Sequence, residues 1–264
     1  VSNQGTIVAR MGSVALAAGD RVTLDLVGDG LISVAVDSAA VNASIANSGL
    51  IQADGGKVLL TARSANALLD TVINMDGVVK ANTLINRNGT IVLDGGSAGV
   101  VSVSGTLDAS GTGAGETGGT VHVLGNQVQL TGATINASGD AGGGTALIGG
   151  NFQGKGPEQN ASATNIGAGT TIAADAINSG NGGKVIVWSD GTTEYYGFIS
   201  ARGGANSGNG GFAEVSGKQH LSMGGYADMR APNGVAGTLL LDPGTVSITV
   251  GANGAQVLPD TFTD

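Results

Sequence analysis

The feature that most constrains this chain is a pattern of short alternating apolar runs that returns at nearly constant intervals. Between residues 105 and 150, short runs in which apolar and polar residues alternate are separated by glycine-rich turns, and the whole pattern then starts again. A period of two predicts strands with one buried face. Leu107 and Ile135 hold equivalent places 28 residues apart. Later units repeat that place at intervals of 27 and 28 residues, in Ile172, Ile199 and Ala227. Self-similarity of this kind is typical of a stacked, solenoidal array.

Three alternating runs make up each unit. In the first unit they begin at Ile7, Val14 and Val22, and single glycines separate them. Three short strands joined by tight corners form one rung of a parallel β-helix, so the sequence predicts an all-β solenoid with three-strand rungs. Rungs would stack about 4.8 Å apart, and about ten of them would give a rod on the order of 50 Å long.

Glycine pairs mark the expected corners of the rungs. They stand directly before the second strand of a unit, at 55–56, 118–119, 182–183 and 210–211. Glycine reaches positive φ without a steric penalty, which a sharp corner requires. We therefore interpret these pairs as corners and not as a phosphate or calcium cradle. The chain has no G-x-x-x-x-G-K-[ST] motif, and its glycine pairs lack the aspartate of the calcium-binding nonapeptide.

The repeat pattern divides the chain into a β-helical shaft over residues 1–245 and a tail, or the start of a following element, over 246–264. Irregular excursions are expected near 27–47, 64–76 and 151–169. Residues 39–46 have some helical potential. The best helix candidate is 64–73, where leucine and valine lie at helical spacing, although a strand fits nearly as well.

Composition limits the classes of function that the chain can have. Apolar residues make up 41% of the chain and charged residues 12%, which is enough to bury a core despite 49 glycines. A formal net charge of −9 without any basic run argues against a nucleic-acid partner. No run of 18 apolar residues is present, so no helix is expected to span a membrane. No signal peptide opens the chain, and we expect it to be a piece of a longer protein.

The sequence offers little support for catalysis, and no metal or cofactor site is expected. His122 alternates with inward Val121 and Val123, and His220 precedes Leu221, so both histidines are expected at the surface without a second ligand at metal spacing. A polysaccharide-acting β-helix would need carboxylates clustered on one face. The candidates for such a site are Asp175, Asp190, Glu194, Arg202 and Asp228. Most of them fall at turns, where solvated carboxylates are expected anyway, so we predict no enzyme.

Aromatic residues gather in one part of the chain and suggest a surface binding patch. Val185 and Val187 are expected to point inward, which would turn Ile186 and Trp188 outward. The patch would comprise Ile186, Trp188, Tyr195, Tyr196 and Phe212, with Phe198 beside them. It could bind a sugar or a protein. The alternative is that these aromatics pack under a loop or against a flanking element.

Several long phrases of the sequence resemble one family of bacterial proteins. The phrases are GTIVARMGSVALAAGDRVTLD, GGKVLLTARSANALLDTVIN, NGTIVLDGGSAGVVSVSGTLDASG, NGGFAEVSGKQHL and APNGVAGTLLLDP. Over about residues 1–245 the chain resembles large exoproteins of the filamentous haemagglutinin type, the adhesin and haem-utilisation exoproteins of two-partner secretion in Gram-negative bacteria. The resemblance implies a right-handed parallel β-helix, export through an outer-membrane barrel transporter, and a location outside the cell or at its surface.

The resemblance and the residues together give a first hypothesis and two alternatives. The first is a structural and binding shaft segment of a secreted, adhesin-like exoprotein that contacts glycans or proteins of a host or neighbouring cell. Because family members carry NPNG-like motifs in an amino-terminal secretion domain, and none is recognised here, we expect the chain to start inside or just past that domain. The alternatives are a β-helical polysaccharide-acting enzyme and a haem-acquisition exoprotein. For haem, His122 and His220 would be the axial ligands, and Met223 and the three tyrosines would be weaker candidates.

Overall fold

The computed structural model describes residues 1–25, 33–65, 71–84, 87–242 and 246–247. Nearly all of the regular structure in this part of the chain is β-strand, and one turn of 3-10 helix covers Phe152–Gly154. The strands, in chain order, are β1 (Ser2–Asn3), β2 (Thr6–Val8), β3 (Ser13–Ala18), β4 (Arg21–Asp25), β5 (Ser33–Ser38), β6 (Ile45–Asn47), β7 (Leu50–Gln52), β8 (Lys57–Ala62), β9 (Thr71–Met75), β10 (Val78–Lys80), β11 (Thr90–Asp94), β12 (Val100–Val103), β13 (Thr106–Asp108), β14 (Thr120–Leu124), β15 (Gln127–Leu130), β16 (Thr134–Asn136), β17 (Thr145–Ile148), β18 (Ala163–Ile166), β19 (Thr171–Ala173), β20 (Lys184–Ser189), β21 (Thr192–Tyr195), β22 (Phe198–Ser200), β23 (Phe212–Gly217), β24 (His220–Met223), β25 (Tyr226–Asp228), β26 (Thr238–Leu241) and β27 (Val246–Ser247).

Three parallel sheets run the length of the stack. The first sheet has the order β1-β6-β9-β12-β15-β18-β21-β24-β27, the second β2-β7-β10-β13-β16-β19-β22-β25, and the third β3-β8-β11-β14-β17-β20-β23-β26. Each complete rung gives one strand to each sheet, and eight complete rungs lie within the described residues. The predicted parallel β-helix with three-strand rungs is confirmed.

The strand register confirms the repeat that the sequence predicts. Leu107 pairs with Ile135, and Ile199 pairs with Ile172 on one side and Ala227 on the other. Ile135 itself pairs with Ile172, because the longer interval between them is taken up by a loop over residues 149–162. We call this segment the covering loop.

A second insertion follows the first rung. β4 and β5 form an antiparallel hairpin outside the three main sheets. The prediction that Val22 and Leu24 form the third strand of the first unit is therefore wrong: they lie in this hairpin and are 43% and 54% exposed. The first rung consists of β1, β2 and β3.

The expected helical character of 39–46 is also absent, since residues 45–47 form β6. Of the candidate helix 64–73, residues 71–73 begin strand β9, and 66–70 lie outside the described residues.

The core is a narrow ladder of aliphatic side chains. In the second sheet the inward position is fully buried in six consecutive rungs, by Ile51, Val79, Leu107, Ile135, Ile172 and Ile199. Each contributes about 1.5–3 kcal/mol of burial free energy. Because each rung packs only on its neighbours, stability is spread along the stack.

Glycine forms an unbroken column at the corner that leads into the third sheet. The residue before each strand of this sheet is Gly12, Gly56, Gly89, Gly119, Gly144, Gly183, Gly211 or Gly237. The predicted corner role is right, but among the predicted pairs only Gly55 has positive φ, so the physical reason is different for the others. Gly183 does not have positive φ; a Cβ built on it would lie 2.1 Å from the carbonyl oxygen of Gly144 in the rung below. The corner requires glycine because the backbones of successive rungs approach too closely for a side chain.

Candidate functional site

The predicted surface patch does not form one surface. Val185 and Val187 point inward as predicted, and Ile186 and Trp188 lie on the outer side of the third sheet. They are nevertheless buried, at 0% and 5% exposure, because the covering loop packs over them. With Leu147 they form a small hydrophobic cluster outside the main core, and half-buried Phe212 packs against it. The expectation of an exposed patch is wrong for these residues, and the alternative of aromatic packing under a loop describes them.

Aromatic and polar contacts hold the covering loop on the third sheet. The rings of Phe152 and Phe212 meet edge to face at 5.6 Å. Asp190 accepts hydrogen bonds from the indole Nε1 of Trp188 at 3.1 Å and from Nδ2 of Asn160, within the loop, at 3.2 Å. The cluster is therefore closed by the loop on its outer side.

Sequence reasoning missed a buried carboxylate beneath this loop. Glu214 is outward on β23, next to Ile186 in the sheet, and its residue exposure is 0%. Its oxygens accept the backbone N–H of Gln153 at 3.1 and 3.3 Å, and Oε1 also accepts the hydroxyl of Ser216 at 3.0 Å. Burial raises the pKa of Glu214, and this effect outweighs the hydrogen bonds from Gln153 and Ser216, which lower it. Nearby Asp242 raises the pKa further, and Lys184 lowers it. The alternating pattern places Glu214 outward, but the pattern does not indicate that a distant loop covers this position.

Tyr195 belongs to the main core, which corrects its predicted place in the patch. It follows inward Thr193 on β21, where alternation turns it inward, and it is fully buried. The next rung makes room for the ring, since a Cβ on Gly225 would lie 2.6 Å from Tyr195 Cε1. Burial raises the pKa of Tyr195, and its hydroxyl has no hydrogen-bond partner.

Exposed aromatic rings lie instead on and near the second sheet. Tyr196 is 44% exposed, and its hydroxyl lies 3.2 Å from the hydroxyl of Ser222. Phe198 and Tyr226 occupy paired positions on β22 and β25, with ring centroids 4.7 Å apart. Tyr226 is 67% exposed. Of the predicted patch residues, Tyr196 is exposed and lies near the Phe198–Tyr226 pair, whereas Phe212 is half-buried against Phe152 on a different face.

The candidate catalytic residues separate into one cluster and two isolated carboxylates. Asp228 lies 3.7 Å from Nε of Arg202 and binds Arg230 at 2.7 Å, and Asp175 accepts the backbone N–H of Arg202 at 2.6 Å. These groups line the corner between the second and third sheets. Asp190 lies at the covering loop, and Glu194, on the outer side of the first sheet, accepts a hydrogen bond from Asn165 at 2.7 Å.

The two histidines differ in exposure. His220 is exposed as predicted, whereas His122 is half-buried on the outer side of the third sheet, beside Leu147. Burial lowers the pKa of His122, and the carboxylate of Glu158 in the covering loop opposes that shift.

Within the described ranges, no three histidine, aspartate or glutamate side chains are grouped so as to hold a metal ion. No helix in the same part of the chain is long and apolar enough to cross a membrane.

Comparison with solved structures shows a likeness that covers most of the chain. The chain is similar to the crystal structure of the HMW1 secretion domain from Haemophilus influenzae. The two are 30% identical with a TM-score of 0.74. The likeness covers 91% of this chain and 60% of the other, so this chain spans less than two thirds of the structure it matches. No family model matches the chain, and no curated protein matches its sequence. The chain thus shares its β-helical fold with the HMW1 secretion domain.

Proposed function

We propose that this chain is part of the β-helical secretion region of a large exoprotein of the two-partner secretion type. The observation that carries the proposal is the likeness to the HMW1 secretion domain over 91% of the chain. That likeness favours a position inside such a domain over one in the shaft beyond it. The eight stacked rungs would give the exported protein a rigid stem that later rungs extend.

The partner during export would be an outer-membrane barrel transporter, and the product would be released from the cell or held at its surface. A parallel β-helix suits this route because each rung needs only the rung before it to bury its core. A chain that emerges end first can therefore fold one rung at a time. The acidic surface and the absence of cysteine are compatible with folding outside the cell.

Co-expression tests this proposal. The complete gene that encodes this chain is expressed in a laboratory Gram-negative host, with and without the transporter gene that neighbours it. We expect the product in the medium or on the cell surface only when the transporter is present. Equal retention in the periplasm of both strains would overturn the proposal.

We further propose that the chain acts by structure and binding and not by catalysis, with glycans or proteins of another cell as partners. In support, Asp175 and Asp228 are engaged by hydrogen bonds and ion pairs within the stack. Incubation with plant and bacterial polysaccharides should release no new reducing ends. Cleavage that the Asp228→Asn substitution abolishes would contradict this expectation.

A further inference from the structure

The outer side of the second sheet changes character towards its last rungs. At the first position of each strand the paired residues are Thr6, Leu50, Val78, Thr106, Thr134, Thr171, Phe198 and Tyr226. The core does not require this change, because the inward neighbours Ile199 and Ala227 continue the aliphatic ladder. Phe198 and Tyr226 therefore place two aromatic rings on a surface where the three preceding rungs have threonine.

These rings border a groove that continues across several rungs. A depression of about 490 Å³ lies between the Phe198–Tyr226 pair and the side chains of Asp228 and Arg230. A second depression of about 440 Å³ shares Arg230 with it. A third, of about 310 Å³, shares Arg202 with the second and reaches Asp175. The groove thus follows the rod along the corner between the second and third sheets. We call it the corner groove.

The polar groups of the corner groove are held in fixed positions. Nε and Nη2 of Arg230 donate to the two oxygens of Asp228 at 2.9 and 2.7 Å. This pairing lowers the pKa of Asp228, so its carboxylate stays charged. A guanidinium has five N–H donors, and the Arg230 side chain is 78% exposed, so its other donors face the groove and solvent. Such planar, paired groups suit the recognition of vicinal hydroxyls.

We infer that the corner groove binds carbohydrate, with a sugar ring stacked on Phe198 and Tyr226 and its hydroxyls bonded to Asp228 and Arg230. The C–H face of a pyranose packs on aromatic rings, and an apolar wall with a few convergent polar groups is the usual composition of a ligand site. A groove that crosses rungs about 4.8 Å apart presents binding groups at a spacing close to that of successive sugars in a linear chain. The carboxylate of Asp228 pairs with both arginines and offsets part of their positive charge. The chain as a whole carries a net charge of −9, which disfavours a nucleic-acid ligand.

This inference names a site for the glycan contact proposed above, and its test is independent of the export assay. The purified chain is titrated with hexameric oligosaccharides of glucose, galactose, N-acetylglucosamine and galacturonic acid, and binding is followed by calorimetry and saturation-transfer NMR. We expect at least one probe to bind. The Tyr226→Thr substitution, which restores the residue of earlier rungs, should weaken that binding at least tenfold, and Arg230→Gln should weaken it severalfold.

Phe152→Thr serves as the matched control, because it removes a partly exposed aromatic ring from a different face. It should bind the probe as the unchanged chain does, and thermal melting should show that each variant is folded. Binding of no probe by the unchanged chain would overturn the inference. Equal binding by Tyr226→Thr and the unchanged chain would overturn it too, even if export through the transporter proceeds normally.

Discussion

Replacing one glycine of the corner column should destabilise the stack in the middle but not at its first rung. In Gly183→Ala the new Cβ would lie 2.1 Å from the Gly144 carbonyl oxygen, and ordinary van der Waals contact begins near 3.4 Å. That oxygen accepts the N–H of Lys184 at 2.9 Å, so relieving the clash lengthens this hydrogen bond. A lost hydrogen bond costs about 0.5–1.5 kcal/mol and overpacking about 1–3 kcal/mol, so we expect a loss of about 2–4 kcal/mol.

Gly12→Ala is the matched control, because Gly12 stands in the same column with no described rung beneath it. The nearest contact of its Cβ would be the Ala9 carbonyl oxygen, at 3.3 Å. We expect its free energy of unfolding to change by less than about 1 kcal/mol, since alanine also lowers the entropy of the unfolded chain. Urea unfolding followed by circular dichroism measures both variants, and hydrogen exchange over residues 140–190 locates the weakened rung. Unchanged stability of Gly183→Ala, or an equal loss in Gly12→Ala, would refute the close-approach argument.

Three further outcomes test the core and the covering loop. Burial raises the pKa of Glu214 above its ordinary 4.5, so above that pH the folded state holds a proton that the unfolded chain has lost. The free energy of unfolding should therefore fall as the pH rises from about 4.5 through the raised pKa. Glu214→Gln should remove this dependence in urea titrations at several pH values, whereas Glu194→Gln, at an exposed carboxylate, should keep it. Trp188→Ala should lower the free energy of unfolding by about 3–5 kcal/mol and, by loosening the covering loop, increase the binding of a hydrophobic dye. If the loop stayed in place, dye binding would not rise. Leu107→Ala should lower the urea midpoint by the equivalent of about 2–5 kcal/mol, and outward Ser102→Ala should leave it within about 0.5 kcal/mol.

The covering loop explains why the outer side of the third sheet can be apolar. Leu147 and Ile186 would form an exposed hydrophobic strip if the stack were bare. The loop covers them, and the buried carboxylate of Glu214 fixes the loop backbone at Gln153, whose φ of 54° lies in the left-handed region. We expect Gln153 to tolerate glycine better than valine, because a β-branched residue disfavours this region.

The sequence by itself determined the rungs, their register and the inward ladder. Where no insertion interrupts the stack, these features follow from periods of two and of about 28 residues, which require only that each unit bury one face and stack on the last. The β4–β5 hairpin and the covering loop lengthen the interval between paired rungs, and the hairpin also led to a wrong strand assignment in the first unit. Alternation alone therefore places Val185, Val187 and Ile199 inward. The corner column was also visible as recurring glycines, although the close approach of backbones that demands them was not.

Only the tertiary structure decided what happens to residues that point outward from a rung. Alternation separates inward from outward, but it does not distinguish solvent from a loop that returns to cover the sheet. The covering loop departs from the stack after β17 and lies over β20 and β23, so it buries Ile186, Trp188 and Glu214 through contacts between distant parts of the chain. Tyr195 could enter the core because Gly225, one rung away, leaves space for its ring. Such contacts depend on how rungs and loops meet in space, and no local pattern encodes them.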